Sequence, residues 1–164
     1  MFTVRDMLAD DAPQVVEVIR TAFEEYRGYL DPPSSAHYKT VEIVCSELAD
    51  GGGFVACAAQ AIVGCVFYHI APEHLYLDRL AVLPGYRRQG IAGVLIQAVE
   101  QRAGDYGLSE VRLSVRLALE GNRAYYERLG YTLLSYGTHA GYTTPTSVTL
   151  HKWLAPECLK RSDE

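Results

Sequence analysis

Residues 80–92 read Leu80-Ala-Val-Leu-Pro-Gly-Tyr-Arg-Arg-Gln-Gly-Ile-Ala92, and they join a strand pattern to a helical one. An apolar run precedes the Pro-Gly pair, and residues 91–106 carry the strongest helical periodicity of the chain. The apolar face of this predicted helix is formed by Ile91, Leu95, Val99 and Ala103. The first N–H groups of a helix have no intrahelical acceptor and lie at the positive end of its dipole. The junction therefore predicts an anion site at the start of the helix.

Small and basic residues surround this junction. Gly90 and Ala92 carry little or no side chain, so an oxyanion can approach the backbone closely. Arg87 and Arg88 add positive charge beside them. The alternative interpretation is a plain loop-to-helix junction with two solvated arginines, and the segment alone does not separate the two.

Two familiar phosphate-binding motifs do not fit the segment. Gly85 and Gly90 have the spacing of the glycines in a nucleoside-triphosphate loop, but Ile91 and Ala92 stand where that motif needs Lys and Ser or Thr. The phosphate-binding lysine and the magnesium-binding hydroxyl are therefore both missing. The chain has no Gly-x-Gly-x-x-Gly either, so a dinucleotide fold is unsupported.

The patterns on either side of this segment predict a mixed sheet with helices on its faces, an α/β or α+β domain. Strands are predicted at 2–5, 54–59, 62–70, 75–82, 110–117, 132–138 and 147–154. Helices are predicted from a cap at Asp10 or Asp11 with Pro13 in the first turn, at 41–48, at 91–106, and from an Asn122 cap to Gly130. Residues 51–53 are predicted to form a turn, and 26–38 an ordered loop or broken helix. The order β-α-α-β-β-β-α-β-α-β-β predicts one domain over 1–155 and a C-terminal tail at 156–164.

Composition and charge exclude several classes of function. The 164 residues fit one domain, with 49% hydrophobic and 21% charged residues. A formal net charge of −5 disfavours a protein that neutralises nucleic-acid phosphates. No charged residue occurs in the range 51–72, but Gln60, Gly64 and His69 interrupt this apolar run and favour two buried strands over a membrane span. We therefore expect neither a nucleic-acid nor a membrane partner.

The cysteines and the N-terminal residues indicate a reducing compartment. No C-x-x-C or neighbouring His cluster accompanies the four cysteines, Cys45, Cys57, Cys65 and Cys158. We expect buried or incidental thiols and no metal site. The N-terminal residues lack a basic region followed by an apolar core, so we expect no signal peptide and a cytoplasmic protein.

Two blocks of the sequence, taken together, resemble the GNAT N-acetyltransferase superfamily. Arg87-Arg-Gln-Gly-Ile-Ala92 fits that family's Arg/Gln-x-x-Gly-x-Gly/Ala signature, and the preceding Leu80-Ala-Val-x-Pro84 resembles its fourth strand and turn. Asn122-Arg-Ala-Tyr-Tyr-Glu-Arg-Leu-Gly-Tyr131 resembles its later helix, which ends in Tyr-Glu-x-Leu-Gly-Phe/Tyr. The resemblance covers residues 64–154 and implies a mixed, mostly antiparallel twisted sheet of six to seven strands flanked by about four helices.

The resemblance also implies acetyl-coenzyme A as cosubstrate and indicates the residues that bind it. The coenzyme pyrophosphate would be held by the signature residues Arg87, Arg88, Gln89, Gly90, Ile91 and Ala92. Backbone groups of Leu80, Ala81 and Val82 would bond the pantetheine arm like an added strand around a bulge. The family's fourth and fifth strands splay apart, and the thioester would enter that gap. Asn122 and Tyr125 are further candidate contacts, with helix capping as the alternative for Asn122.

The implied chemistry is direct attack of a neutral primary amine on the thioester in a ternary complex. By resemblance, Tyr126 lies where the family's helix tyrosine faces the coenzyme sulfur. A phenol with a pKa of about 10 is protonated at neutral pH and can give its proton to the leaving thiolate. The alternative for Tyr126 is a core aromatic, and Tyr125 is then the alternate donor.

The other groups of the reaction are assigned along the fourth strand. A backbone N–H near Ala81 or Val82 is the expected oxyanion donor. Asp78 is the carboxylate nearest to the position where many relatives carry a Glu base. The alternatives are that Asp78 simply pairs with Arg79, or that water mediates the deprotonation.

The acceptor side is assigned by its place in the family. Tyr26 and Tyr29 follow the first helix, and His139 and Tyr142 lie in the loop between the last two strands; both regions tend to border the acceptor in relatives. Each residue is alternatively a surface or packing residue. We expect a small-molecule or peptide amine as acceptor, and the frequent dimers among relatives imply a homodimer as one possible assembly. The rival interpretations are a different acyl group or acceptor, or a non-catalytic acyl-coenzyme A sensor.

Overall fold

Within residues 1–156, which the computed structural model describes, seven strands and four α-helices follow one another in the predicted order. They are β1 (Thr3–Asp6), α1 (Ala12–Phe23), α2 (Val41–Asp50), β2 (Gly51–Ala58), β3 (Ala61–Ile70), β4 (Leu75–Val82), α3 (Ile91–Asp105), β5 (Glu110–Arg116), α4 (Glu120–Arg128), β6 (Thr132–Gly137) and β7 (Ser147–Trp153). The strands are hydrogen-bonded in the order β1-β2-β3-β4-β5-β7-β6. Adjacent pairs are antiparallel at β1–β2, β2–β3, β5–β7 and β6–β7, and parallel at β4–β5. The predicted mixed, mostly antiparallel sheet is confirmed.

The described residues divide into two units. Unit 1 comprises Met1–Ile70 and Leu77–Arg102, and unit 2 comprises Ala71–Tyr76 with the described residues from Ala103 onward. The predicted tail falls on residues that, apart from Pro156, lie outside the described part of the chain, and so does Cys158. No helix within residues 1–156 combines the length and the apolar character that a membrane crossing requires.

The core of unit 1 lies between the amphipathic α1 and the apolar strand β3. Val15 and Ile19 of α1 are fully buried, and they belong to one apolar cluster with Cys65 and Phe67 of β3. Burying aliphatic and aromatic side chains of this size stabilises the fold by about 1.5–3 kcal/mol each. The end of β4 joins the same cluster through Ala81, so packing fixes the strand that carries the candidate site.

The core of unit 2 is formed by the alternating residues of β5 against β7. Leu113 pairs with Leu150 and Val115 with Val148, and all four side chains are buried. This alternation follows the period of two that the sequence shows. The parallel register to β4 joins Leu75 to Val111 and Tyr76 to Arg112.

The prediction of a turn at residues 51–53 is wrong, because these glycines begin β2. Gly51 pairs with His69 and Gly52 with Tyr68 in the antiparallel register with β3. A Cβ at Gly51 would lie 2.1 Å from Tyr68 O, and one at Gly52 would lie 2.2 Å from Tyr68 Oη. Close approach of neighbouring atoms, rather than turning of the backbone, is therefore the reason for these glycines.

Two predicted helix caps are also corrected. Asn122 is the third residue of α4, whose N-cap is Leu119, so Asn122 does not cap the helix. Asp11 stands at the N-cap position of α1, but its side chain makes no capping bond there. Its carboxylate instead accepts from Leu8 N–H at 2.8 Å and from the Arg5 guanidinium. Bonds to Arg5 and to the Leu8 N–H, six and three positions earlier, have thus taken the acceptor that capping of α1 would have used.

The segment 26–38 is ordered, as predicted. Short 3-10 helices occupy Glu24–Tyr26 and Ser35–Tyr38, with a cis peptide bond at Asp31–Pro32 between them. The expected thiol character also holds for the three described cysteines, which are free. Burial raises the pKa of Cys65 to about 12, so this thiol is not a nucleophile at neutral pH.

Candidate active site

The segment between β4 and α3 has the backbone geometry of a helix N-terminus open to an anion. Pro84–Tyr86 forms a short 3-10 helix, and the left-handed residues Arg88 (φ 62°) and Gly90 (φ 85°) lead into α3. Val94 N–H donates to Gly90 O at 3.1 Å, which is the start of the helical bonding. The amides that precede Val94 in the first turn have no acceptor inside the helix and lie at the positive end of its dipole.

The reason for a glycine at position 90 is its left-handed backbone conformation and not close packing. A Cβ built at this position meets no heavy atom within 4 Å. The space beside the first amides of α3 is therefore open, and a side chain at position 90 would stand in it. The left-handed φ adds a conformational cost for any residue with a side chain.

The Arg87 side chain is held by contacts with α1, β4 and the residues after α1, rather than standing free at the edge of the turn. Its guanidinium donates to Ala22 O at 3.1 Å and to Val82 O at 3.3 Å, and it pairs with Glu25 at 2.9 Å. The side chain thereby ties the end of β4 to the end of α1. Both arginines are exposed, and the difference between them lies in the bonds that hold the Arg87 guanidinium. The two arginines that the sequence places together as rim charges thus have different surroundings.

Gly64 on β3 lies underneath the start of α3. A Cβ at Gly64 would approach Ile91 Cγ2 to 3.1 Å, Ala81 O to 3.2 Å and Leu95 Cδ1 to 3.4 Å. These distances are at or below the lower limit of ordinary van der Waals contact, so the first turn of α3 packs directly against the backbone of β3 at Gly64. The close seating holds the first amides of α3 beside the end of β4.

Strand β4 is broken at Arg79, which has a left-handed φ of 51°. This bulge, of the kind expected on the fourth strand, lies between Asp78 and Leu80. The Arg79 guanidinium donates to Ser34 Oγ at 3.2 Å and also to Ser35 Oγ, and it lies 5.3 Å from the Phe23 ring centroid. Its hydrogen bonds thus run to the segment after α1.

Asp78 is hydrogen-bonded to His69 of β3, with 3.3 Å between Oδ2 and Nε2. Burial favours the neutral carboxyl, but the His69 hydrogen bond and the charges of Arg79 and Lys39 outweigh it and lower the pKa of Asp78. The Asp78 hydrogen bond raises the pKa of His69, with burial opposing. The expected partner, Arg79, acts on Asp78 through charge alone, and His69 is the residue that bonds it.

A buried ion pair lies close to these two residues. Lys39 is 4% exposed, and its Nζ pairs with Glu47 Oε1 on α2. The Lys39 charge lowers the pKa of Asp78, while Glu47 raises that of His69. A lysine this deeply buried is rare unless it is paired, so the charge arrangement around Asp78 and His69 is built into unit 1.

In unit 2, Tyr126 sits inside a cluster of aromatic rings. It is buried, and its ring lies edge-on to Tyr125 at 5.7 Å and to Tyr131 at 5.8 Å between centroids. Tyr125 is half-buried; burial raises its pKa, although the nearby Arg128 opposes this. The raised pKa means that Tyr125 keeps its phenolic proton at neutral pH, as the alternate proton donor must.

The candidate acceptor residues fall in two places. In unit 1, Tyr26 ends the 3-10 helix after α1 and packs edge-on against Phe23 at 5.7 Å, while Tyr29 is largely exposed. In unit 2, the rings of His139 and Tyr142 lie 6.5 Å apart, and burial lowers the pKa of His139. Each pair is brought together within its own loop.

Three residues near the candidate site, His69, Lys39 and Gly64, were not predicted from the sequence. His69 and Gly64 were noted only as interruptions of an apolar run, and Lys39 falls between the predicted loop at 26–38 and the helix predicted from Val41. A signal was available for His69, because a hairpin between the third and fourth strands places it on the strand beside Asp78. The roles of Lys39 and Gly64 depend on tertiary contacts that no local pattern indicates.

The chain matches known acetyltransferases along most of its length. The model of the acetyltransferase (GNAT) family matches residues 14–131. An N-alpha-acetyltransferase from Saccharolobus solfataricus is 29% identical over 145 residues, which cover 79% of this chain and 80% of that protein. These matches define the class of the protein, an acyl-transferring enzyme. The chain belongs to the GNAT acetyltransferase family.

Solved structures share the fold at low sequence identity. The PaiA N-acetyltransferase of Thermoplasma acidophilum, in complex with coenzyme A, superposes with a TM-score of 0.80 at 20% identity, covering 93% of this chain and 99% of that one. The ribosomal-protein-S18-alanine N-acetyltransferase of Escherichia coli does so with a TM-score of 0.76 at 18% identity, covering 94% and 95%. The predicted fold class is thus confirmed. The acyltransferase activity follows from the family match.

Proposed function

We propose that this protein transfers the acetyl group of acetyl-coenzyme A to a primary amine by direct attack in a ternary complex. The observation that carries the proposal is the open backbone turn of Arg88 and Gly90 at the start of α3. It presents helix N-terminal amides to an anion, as a coenzyme pyrophosphate would require. The exposed Arg88 adds positive charge, and the other signature residues, Gln89, Ile91 and Ala92, contribute backbone groups.

The chain's own residues are then assigned to the steps of the transfer. The thioester supplies the acetyl group, and the backbone of Leu80–Val82 aligns its pantetheine arm. A backbone N–H near Ala81 or Val82 stabilises the oxyanion that forms when the amine nitrogen attacks. Tyr126 donates its phenolic proton to the thiolate as the carbon–sulfur bond breaks. Asp78 is one of the residues that together remove a proton from the amine.

The protons of this scheme balance. An ammonium that becomes an amide loses two protons in total. The leaving thiolate gains one from Tyr126, which recovers one from the reacting nitrogen. One proton is therefore released per acetyl group transferred, and the enzyme needs a residue that carries it from the amine to solvent.

A peptide N-terminal α-amine is the first acceptor to test. The 29% identical relative is an N-alpha-acetyltransferase, which supports this choice. An α-amine has a pKa of about 7.7–8.0 against about 10.4 for lysine, so a larger share of it is neutral at physiological pH. Tyr26, Tyr29, His139 and Tyr142 remain the proposed acceptor contacts.

The experiment is thiol release from acetyl-coenzyme A across a panel of peptides, polyamines, amino acids and aminoglycosides. We expect at least one amine to accelerate release. Tyr126→Phe should then lower kcat by about 10²–10⁴-fold, the range for a lost general acid, while acetyl-coenzyme A affinity is kept. Tyr136→Phe is the matched control, because it removes an exposed hydroxyl on β6, outside the assigned residues, and should leave kcat within a few fold. Tyr125→Phe tests the alternate donor and should lower kcat less than Tyr126→Phe does.

Two outcomes would replace the proposal with its rivals. If acetyl-coenzyme A binds but no amine accelerates thiol release, the protein is a sensor rather than a transferase. If a longer acyl-coenzyme A is used with higher kcat/KM than the acetyl form on the same amine, the reaction class stands and the acyl group changes.

A further inference from the structure

We infer that His69 is the proton acceptor for the incoming amine and that Asp78 positions its imidazole. The inference rests on the proposed function and goes beyond it, because it assigns to an imidazole on β3 the role that the family resemblance suggested for a carboxylate on β4. It makes His69 a catalytic residue and Asp78 a positioning residue.

The placement of the pair supports this role. His69 lies near the end of β3 and Asp78 lies on β4, in a hairpin whose turn is closed by Ala71 N–H donating to His74 O at 3.0 Å. Asp78 directly precedes Arg79, where β4 bulges, and the bulge leads into the backbone assigned to the thioester arm. An amine that attacks the thioester from this side would meet the pair as it arrives.

The hydrogen bond decides which imidazole nitrogen can act. A carboxylate accepts hydrogen bonds and does not donate them, so the 3.3 Å contact requires the proton on His69 Nε2. The lone pair of the neutral imidazole then lies on Nδ1. That nitrogen takes the proton from the ammonium, and the resulting imidazolium keeps its Nε2–H on Asp78.

The surrounding charges favour proton uptake by the imidazole over the carboxylate. Arg79 and Lys39 stabilise the ionised form of Asp78, whose pKa is lowered, so the carboxylate stays charged and is a poor base. Asp78 and Glu47 stabilise the imidazolium, with Lys39 opposing. Because His69 has a raised pKa, it is the better matched acceptor for an amine that titrates near neutrality.

The pair is also accessible enough to pass its proton on. The side chain of His69 is 35% exposed and that of Asp78 is 31% exposed. A fully buried pair could not exchange the proton with water after each turnover. In the balanced reaction, the imidazolium gives to solvent the single proton that the transfer releases.

The test is the pH dependence of kcat/KM with one amine for four proteins: wild type, His69→Gln, Asp78→Asn and His74→Gln. His74 lies in the turn of the same hairpin and outside the assigned machinery, so it is the matched histidine control. The protonation of the amine itself contributes equally to every profile. Acetyl-coenzyme A affinity is measured in parallel by calorimetry.

We expect His69→Gln to lower kcat by about 10²–10⁴-fold and to lose the acidic limb that reports the imidazole. Asp78→Asn should shift that limb to lower pH, because the contact that raises the His69 pKa is gone. His74→Gln should match the wild type, and all variants should keep their affinity for acetyl-coenzyme A.

The failures are distinguishable. If His69→Gln keeps the wild-type kcat and the acidic limb of the pH profile, with coenzyme affinity intact, the inference is overturned and the proposed function stands. Absence of turnover by the wild type with every amine would overturn both. Should His69→Gln not fold, Asp78→Asn decides, since an unmoved acidic limb contradicts the pairing.

Discussion

Gly64 on β3 lies so close to Ile91, the first residue of α3, that a Cβ at position 64 would stand 3.1 Å from Ile91 Cγ2. The same Cβ would stand 3.2 Å from Ala81 O at the end of β4. The β3 backbone at Gly64 therefore packs against both the end of β4 and the start of α3, the two segments to which the proposed function assigns oxyanion and pyrophosphate binding.

Replacing Gly64 by alanine should disturb stability and binding together. The added methyl overpacks the seat of α3, which costs about 1–3 kcal/mol of unfolding free energy. The first turn of α3 must shift to relieve the contact, so acetyl-coenzyme A affinity should also fall. Urea unfolding and calorimetry measure the two effects.

Gly121→Ala is the matched control for that change. A Cβ at Gly121, on α4, meets no heavy atom within 4 Å, and its φ lies outside the left-handed region. Stability should be unchanged or raised by about 0.4–1 kcal/mol. If Gly64→Ala changes neither the free energy of unfolding nor the coenzyme affinity more than Gly121→Ala does, the close packing of α3 on Gly64 is contradicted.

The two arginines of the signature should respond differently to alanine. Arg87→Ala removes donors to the Ala22 and Val82 carbonyls, so it should cost about 1 kcal/mol of unfolding free energy as well as coenzyme affinity. Arg88→Ala removes an exposed charge and should weaken acetyl-coenzyme A binding with little effect on unfolding. The Arg88 contribution should also shrink at high salt, as expected of an exposed charge. Equal losses of stability in both variants would contradict the separate roles.

Glu110 should make the protein sensitive to acid. This residue is 2% exposed, and hydrogen bonds from Arg112 and then His151 hold its pKa below the usual value, with burial opposing. Because the folded pKa is depressed, the stabilisation is fully present above the unfolded value of about 4.3 and is lost as pH falls through the folded pKa. The free energy of unfolding should therefore drop more steeply below about pH 4.3 in the wild type than in Glu110→Gln.

Urea unfolding between pH 7 and pH 3 measures this slope. Glu17→Gln, which neutralises an exposed carboxylate on α1, is the control and should keep the wild-type pH dependence. A Glu110→Gln variant with the same acid slope as the wild type would show that the Glu110 network contributes nothing to the pH dependence.

Local patterns were enough to predict the order of elements and the position of the turn between β4 and α3. The bounds of β4 agree with the prediction, and α3 begins at the predicted Ile91. In both places the apolar period and the Pro-Gly turn act over a few residues, so no distant contact is needed. The family motifs are read from the same short segments.

The errors arise where distant parts of the chain decide the outcome. The glycines 51–53 read as a turn because nothing local reveals the Tyr68 atoms against which they pack. The Arg87 guanidinium, predicted as a rim charge, donates to the carbonyl of Ala22, 65 positions away. His69 was missed because its importance depends on the strand beside it rather than on its own neighbours in sequence.

The most direct measurement is a calorimetric titration of acetyl-coenzyme A into the folded wild type, Gly90→Ala and Gly85→Ala. Gly90 is left-handed and borders the open turn, whereas a Cβ at Gly85 meets no heavy atom within 4 Å and the backbone there is not left-handed. We expect saturable binding by the wild type and Gly85→Ala, and a loss of about tenfold or more in Gly90→Ala from backbone strain and obstruction of the turn. No saturable heat with the wild type, or equal affinity in all three proteins, would contradict a pyrophosphate held at the start of α3.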